Sequence, residues 1–161
     1  LLAGGGHARA AGLSVRHDTI PELRAFLCER LAAESEIAAA EDALEVDALV
    51  TARGADRALW QDFQRMAPFG PGNVEPTFAA ADVRVERPMA LRGGHVRCTL
   101  TDGSGGRLKA VAWRVEGSEA GRRLMTEGGA VHVAGRLKPD DWQGRQGVEF
   151  EIEDVADPRR A

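Results

Sequence analysis

The sequence predicts an α+β chain, with a helix-containing amino-terminal part followed by a five-stranded barrel. Three observations carry that prediction. Apolar residues recur at helical spacing in two stretches before Met66, five Gly or Pro residues fall among the nine from 68 to 76, and beyond that phrase the apolar period changes to two. The Pro/Gly phrase reads as a rigid connector. The organisation expected is therefore a first part over residues 1–66, a connector over 67–78 and a second domain over 79–161.

Residues 1–12, LLAGGGHARAAG, read as a loop and turn that lead into a short strand at 13–15. Thr19 and Glu22 then have the T-x-x-E spacing of a capping box, with Pro21 in the first turn. Ile20, Leu23, Phe26, Leu27 and Leu31 share one face of the helix that follows, a stripe expected to be buried on the sheet that Val15 joins. Residues 44–50 fit a strand with imperfect alternation. Leu59, Trp60, Phe63 and Met66 set a second helix over 55–66, ended by Pro68.

Past the connector, Val83 and Val85 alternate with Arg84 and Glu86, and the alternation continues through 95–101. Residues 102–106, Asp-Gly-Ser-Gly-Gly, form a hairpin turn into a third strand over 107–113. A short helix is expected at 118–126. Strands at 130–138 and 148–155 follow, separated by a turn that contains Asp140, Asp141 and Trp142. Five strands with one helix between the third and fourth is the order of the OB-fold, a Greek-key barrel that binds oligonucleotides.

The 43% hydrophobic and 29% charged fractions are those of a globular protein. No apolar run approaches the roughly 18 residues that a membrane span needs, so no membrane partner is expected. The chain opens on Leu1 without an initiator Met or a cleavable signal and reads as cut from something longer. Two cysteines, Cys28 and Cys98, fit a reducing, cytoplasmic compartment and read as small core residues. The net charge of -4 argues against wholesale polyanion binding, but its distribution is uneven. Between Arg84 and Arg114 stand seven bases against only Glu86 and Asp102, a local basic face of the kind a nucleic-acid groove requires.

Two constellations could carry chemistry. Gly4, Gly5 and Gly6 would let the backbone turn several N–H groups toward one phosphate, with His7 and Arg9 as further donors. Residues 8–11 would then form a first helical turn whose dipole faces the same anion, the alternative being a plain flexible turn. On the barrel, Phe78, Trp113 and Trp142 could stack bases beside the cations, or Phe78 and Trp113 could complete the core. Strand alternation puts Arg107, Lys109, Val111 and Trp113 on one side, opposite Leu108, Ala110 and Ala112. His17, His95 and His132 are scattered, Asp140 and Asp141 suit a turn, and no metal-ligand or nucleophile spacing is present.

The run from Gly5 to Gly12, GGHARAAG, resembles the G-G-H-x-x-A-A-G signature of the DHH-associated domain, the second domain of the DHH phosphoesterases. The run from Pro68 to Phe78, PFGPGNVEPTF, is similar to the P-F-G-x-G-N-P-E-P-x-F connector that RecJ exonucleases carry before their OB-fold. Trp142-Gln143-Gly144 looks like the late barrel turn of the same family. Val74 stands where the family usually has Pro, and Ala67 where an acidic residue often precedes the Pro-Phe-Gly.

The resemblance implies that residues 1–66 are the tail of an α/β DHH-associated domain. It implies a 5′→3′ single-stranded-DNA exonuclease of recombination and repair, working by two-metal hydrolysis with Mn2+ or Mg2+ bound by a DHH domain upstream of Leu1. This stretch would then hold DNA without cutting it. Gly4, Gly5, Gly6, His7 and Arg9 would close over a substrate phosphate, while Arg97, Arg107, Lys109, Trp113 and Trp142 guide the strand. Two rivals stay open: a stand-alone OB module that binds single strands or a protein, and another DHH-family phosphodiesterase acting on short oligonucleotides or signalling dinucleotides.

Overall fold

The computed structural model describes residues 2–7, 10–41, 44–141, 144 and 146–158, with no side-chain account of 33–41. The chain divides into two compact units, Leu1–Ala43 and Leu44–Ala161. In the first, β1 (Ala3–His7) pairs antiparallel with β2 (Ala10–Ser14), Gly5 opposite Gly12 and Gly6 opposite Ala11. A Cβ on Gly6 would stand 2.6 Å from the Ala10 carbonyl oxygen, so this close backbone approach needs glycine. The expected loop is thus a strand. Of the expected first helical turn over 8–11, residues 8 and 9 lie outside the described residues, while Ala10 and Ala11 extend along β2 instead; among the described residues the positive-φ glycines are Gly72, Gly93, Gly94, Gly105, Gly117, Gly128 and Gly144 rather than Gly4 to Gly6.

A 3-10 turn at His17–Thr19 leads into α1 (Ile20–Glu41). The Thr19 hydroxyl donates to the Arg16 carbonyl at 2.8 Å, and Pro21 occupies the first turn, where a missing N–H is no loss. Ile20, Phe26, Leu27 and Leu31 are all exposed, so the apolar stripe is not buried within this unit as expected.

The second unit begins well before the connector. The two-residue strand β3 (Ala48–Leu49) runs parallel to the start of β4 (Phe78–Leu91), and α2 (Arg57–Gln64) starts on Asp56, whose carboxylate accepts from the Leu59 N–H at 2.9 Å. Phe63 of α2 is buried against Phe78 and Phe69, with ring centroids 5.5 and 6.2 Å away, and Ala52 and Ala55 join the same core. Residues 44–66 therefore fold with the strands, and the units divide at 43/44 instead of at the connector. The reason is tertiary: Phe63 has its apolar partners within the Pro/Gly phrase, at Phe69, and just beyond it, at Phe78.

The remaining elements are β5 (His95–Thr101), β6 (Arg107–Ala112), α3 (Glu119–Leu124), β7 (Ala130–Asp140) and β8 (Gly147–Ala156), close to the expected spans. Ser118 caps α3 by accepting from the Gly121 N–H at 3.0 Å. Strand order is β3-β4-β5-β6-β8-β7, and β7 pairs with β4 as well. The pairs are antiparallel except β3–β4 and β6–β8. From β4 onward this is the expected OB order.

β4 serves two neighbours because it bends. Its first half pairs with β7 and its second with β5, with register shifts at 80/83 and 86/89; Asp82 and Arg87 adopt φ of +50° and +51° there. Val83, Val85, Leu100, Leu108, Leu124, Val133, Leu137 and Phe150 are fully buried between the strands and α3. Among the described residues, no helix is long and apolar enough to cross a membrane.

Candidate nucleic-acid interface

Alternation divides β5 and β6 into an inner and an outer face. Val96, Cys98 and Leu100 of β5 and Leu108, Ala110 and Ala112 of β6 belong to the core, which turns His95, Arg97, Thr99, Thr101, Arg107, Lys109 and Val111 the other way. Antiparallel register sets Arg97 opposite Val111, Thr99 opposite Lys109 and Thr101 opposite Arg107. Val111 is 2% exposed yet lies outside the core cluster, so the outer face has an apolar spot of its own.

Trp113 follows the last residue of β6 and is 48% exposed. The His95 ring meets it edge-on with centroids 4.8 Å apart, and His95 Nδ1 accepts the Arg114 N–H at 2.9 Å. Arg114 holds φ at +57°, a left-handed backbone that turns the chain away directly after the tryptophan. Trp113 is therefore a fixed, half-open ring at one end of the face. Phe78 is 5% exposed and takes the core role. Trp142 and Arg9 lie outside the described residues.

The cations on this face do not stand alone. Arg97 Nε lies 3.6 Å from a Glu149 oxygen, Arg107 pairs with Glu86, and Lys109 pairs with Asp140. Asp141 goes elsewhere, to Arg57 at 2.8 Å. The excess of bases counted along 84–114 is thus corrected by acids from β7 and β8, because parallel pairing of β6 with β8 sets Lys109 beside Glu149 and Val111 beside Glu151. The face is charge-balanced, with guanidinium and ammonium groups that stay about half exposed.

The turn that aims β6 is fixed by Asp102. Its carboxylate accepts the Ala52 N–H at 2.6 Å, the Ser104 N–H at 2.8 Å and the Ser104 hydroxyl. Desolvation works against the charged form, but hydrogen bonds from the Ser104 side chain and the Ala52 and Ser104 backbones outweigh it and hold the Asp102 pKa below the ordinary aspartate range. Gly106 makes the approach possible: a Cβ there would overlap the Arg53 backbone nitrogen and stand 2.6 Å from the Ala52 carbonyl carbon. Inside the sheet, burial alone pushes the Cys98 thiol up to about 12, which suits a core residue and no nucleophile.

In the other unit, Gly4, Gly5, Gly6 and His7 lie along the exposed strand β1. Residues that sequence reasoning passed over include His95, whose pairing with Trp113 follows from counting back through the hairpin from Val96 opposite Ala112. Among the described residues no three His, Cys, Asp or Glu side chains gather closely enough to hold a metal ion. Those residues accordingly do not fit the Mn2+ or Mg2+ that the resemblance implies.

The family model of the RecJ OB domain matches residues 46–154. The chain belongs to the RecJ OB domain family. The match takes in β3 and α2 as well as the strands, in keeping with a unit that starts at Leu44. RecJ from Thermus thermophilus in complex with Mn2+ is 24% identical over 98% of this chain and 22% of that one, with a TM-score of 0.59. The same protein in complex with Mg2+ gives 24% identity, 98% and 23% coverage and a TM-score of 0.59. This RecJ OB chain thus spans about a fifth of the length of those relatives, and at that identity the likeness is one of fold. No curated protein sequence matches it.

Proposed function

We propose that this RecJ OB domain holds single-stranded DNA along the outer face of β5 and β6, on behalf of a 5′→3′ exonuclease that hydrolyses phosphodiesters in recombination and repair. The cutting chemistry belongs to a metal-bearing DHH domain of the whole protein, so this chain by itself binds DNA and leaves it intact. The observation that carries the reading is Trp113, half open, held edge-on by His95 and adjoining a face with Arg97, Arg107 and Lys109. Stacking on such a ring is sequence-tolerant, as a nuclease that must accept every base requires.

The paired cations are compatible with that role. Exposed ion pairs contribute only about 0–1 kcal/mol, so a phosphate oxygen can replace Glu86, Glu149 or Asp140 as partner at little cost. Trp142, which precedes β8 in the sequence, is assigned to the same path on the strength of its place in the Trp142-Gln143-Gly144 motif. Gly4, Gly5, Gly6, His7 and Arg9 are assigned to the phosphate end of the substrate on the strength of the GGHARAAG motif, the exposed β1 offering its edge and side chains rather than a helix dipole.

The test compares binding of a fluorescent single-stranded oligonucleotide to wild type and to the double variant Arg107→Glu/Lys109→Glu. Salt-sensitive binding by wild type, lost in the double variant, is expected, with no degradation of the DNA when Mn2+ is added. Unchanged binding by the double variant would instead favour a face that meets a protein partner, to which its balanced charge is also suited.

A further inference from the structure

A cleft of about 560 Å³ in the second unit adjoins the open face just described and shares Arg107 and Lys109 with it. It opens where the segment 52–58 crosses the near ends of β6 and β8. Arg53, Arg57, Arg107 and Lys109 line it, against the carboxylates of Asp56 and Asp140. Both carboxylates are committed, Asp56 to capping the Leu59 N–H and Asp140 to Lys109. The pull on an anion comes from side chains, because the start of α2 is already occupied by its Asp56 cap; of the four cations, Arg57 pairs with Asp141, Arg107 with Glu86 and Lys109 with Asp140.

Two cations in the cleft are not fully used. The Arg53 side chain is exposed, and its guanidinium makes no ion pair with the described residues, although the Arg53 backbone N–H is anchored to the Ser104 hydroxyl at 3.3 Å. Arg57 lies over the Trp60 ring at 4.4 Å and donates through Nη1 to Asp141, but its Nε–H is buried without an acceptor among the described residues. A guanidinium donor left over, beside an arginine with no ion pair among the described residues, is a lining that an oxyanion would complete.

We propose that this cleft is a second anion subsite, which takes an internal phosphodiester of a single strand on Arg53 and Arg57 as the strand runs off the β5–β6 face past Arg107 and Lys109. The proposal rests on the reading that this face binds single-stranded DNA and adds where the strand goes next. Arg107 and Lys109 belong to both surfaces, so the backbone can pass from one to the other without crossing an uncharged gap. The segment 52–58, which precedes the connector, thereby becomes part of the binding surface.

The experiment measures binding of the 161-residue chain to oligothymidylates with 5′-hydroxyl or 5′-phosphate ends, between about 50 and 200 mM salt. Arg53→Gln removes a charge that has no ion-pair partner among the described residues. Ala58→Glu adds a carboxylate to the exposed cleft wall in the first turn of α2, where an acidic residue favours the helix. Arg53→Gln is expected to lower the slope of log affinity against log salt by about 0.7 and to weaken binding about fivefold at 0.1 M salt. Ala58→Glu is expected to weaken binding at least as much with an unchanged unfolding midpoint, and both losses are to be equal for the two 5′ ends.

Wild-type affinity and slope in both variants, while Arg107→Glu/Lys109→Glu loses binding, would overturn the cleft and leave the face standing. A loss confined to 5′-phosphorylated DNA would overturn the internal phosphodiester in favour of a terminal one. Absence of binding by wild type would overturn the face, and the cleft with it.

Discussion

Trp113→Ala separates stacking from charge. Trp113 is 48% exposed, so about half its surface already rests on protein, with the His95 ring at 4.8 Å, and the other half is open to a base. Stacking on such a platform contributes about 1–3 kcal/mol per base, which converts to a rise in Kd of roughly 5- to 150-fold. Losing the edge-on contact with His95 is worth about 0.5–1.5 kcal/mol of stability at most, so the variant remains folded at room temperature. The residue carries no charge. The salt slope of binding should therefore be that of wild type, whereas Arg107→Gln/Lys109→Gln should lower it by about 1.4. Fluorescence anisotropy titrations at three or more salt concentrations measure both quantities, and Trp113→Phe, which keeps a π face, should recover most of the affinity. A Kd within twofold of wild type for Trp113→Ala would refute the stacking role, and a lowered salt slope would refute the division between ring and charges.

Three further outcomes test the framework that aims this face. Gly106→Ala should destabilise the second unit by about 1–3 kcal/mol in denaturant unfolding, because its methyl group meets Ala52–Arg53 backbone rather than a mobile side chain. Asp102→Asn should lower the melting temperature at neutral pH. Since the folded-state pKa of Asp102 is depressed, its contribution is fully present above the ordinary aspartate range and is lost as pH falls through the folded value, so wild type and variant should converge in acid. A thiol titration of the native protein at neutral pH should find Cys28, which is exposed, reacting quickly and Cys98, raised to about 12 by burial, reacting only on unfolding.

Much of the second unit was legible because its signals are local. The period of two over 95–101 and 107–112, the Asp-Gly-Ser-Gly-Gly turn and the Ser118 cap each act within a few residues, and together they carried the OB order. The first twelve residues misled for a physical reason. Glycine has no side chain to declare a strand, and what holds Gly4–His7 extended is the ladder to β2, not a propensity. The unit boundary was hidden because Phe63 packs on Phe69 within the connector and on Phe78 at its far end. The charge of the face was misjudged because Glu149 reaches Arg97 and Asp140 reaches Lys109 from strands dozens of residues away, through the β6–β8 pairing. Arg53 and Arg57 escaped notice for the same reason: their meeting with Arg107 and Lys109 exists only in the fold.

The central claim, that this RecJ OB domain binds single strands on the outer face of β5 and β6, is tested most directly by an NMR titration of the isotopically labelled chain with an oligothymidylate. Saturable shifts should gather at the amides of Arg97, Thr99, Arg107 and Lys109 and at the Trp113 indole N–H, and should fade as salt rises. Shifts confined to the opposite side of the sheet, or none at concentrations that saturate a single-strand binder, would contradict it.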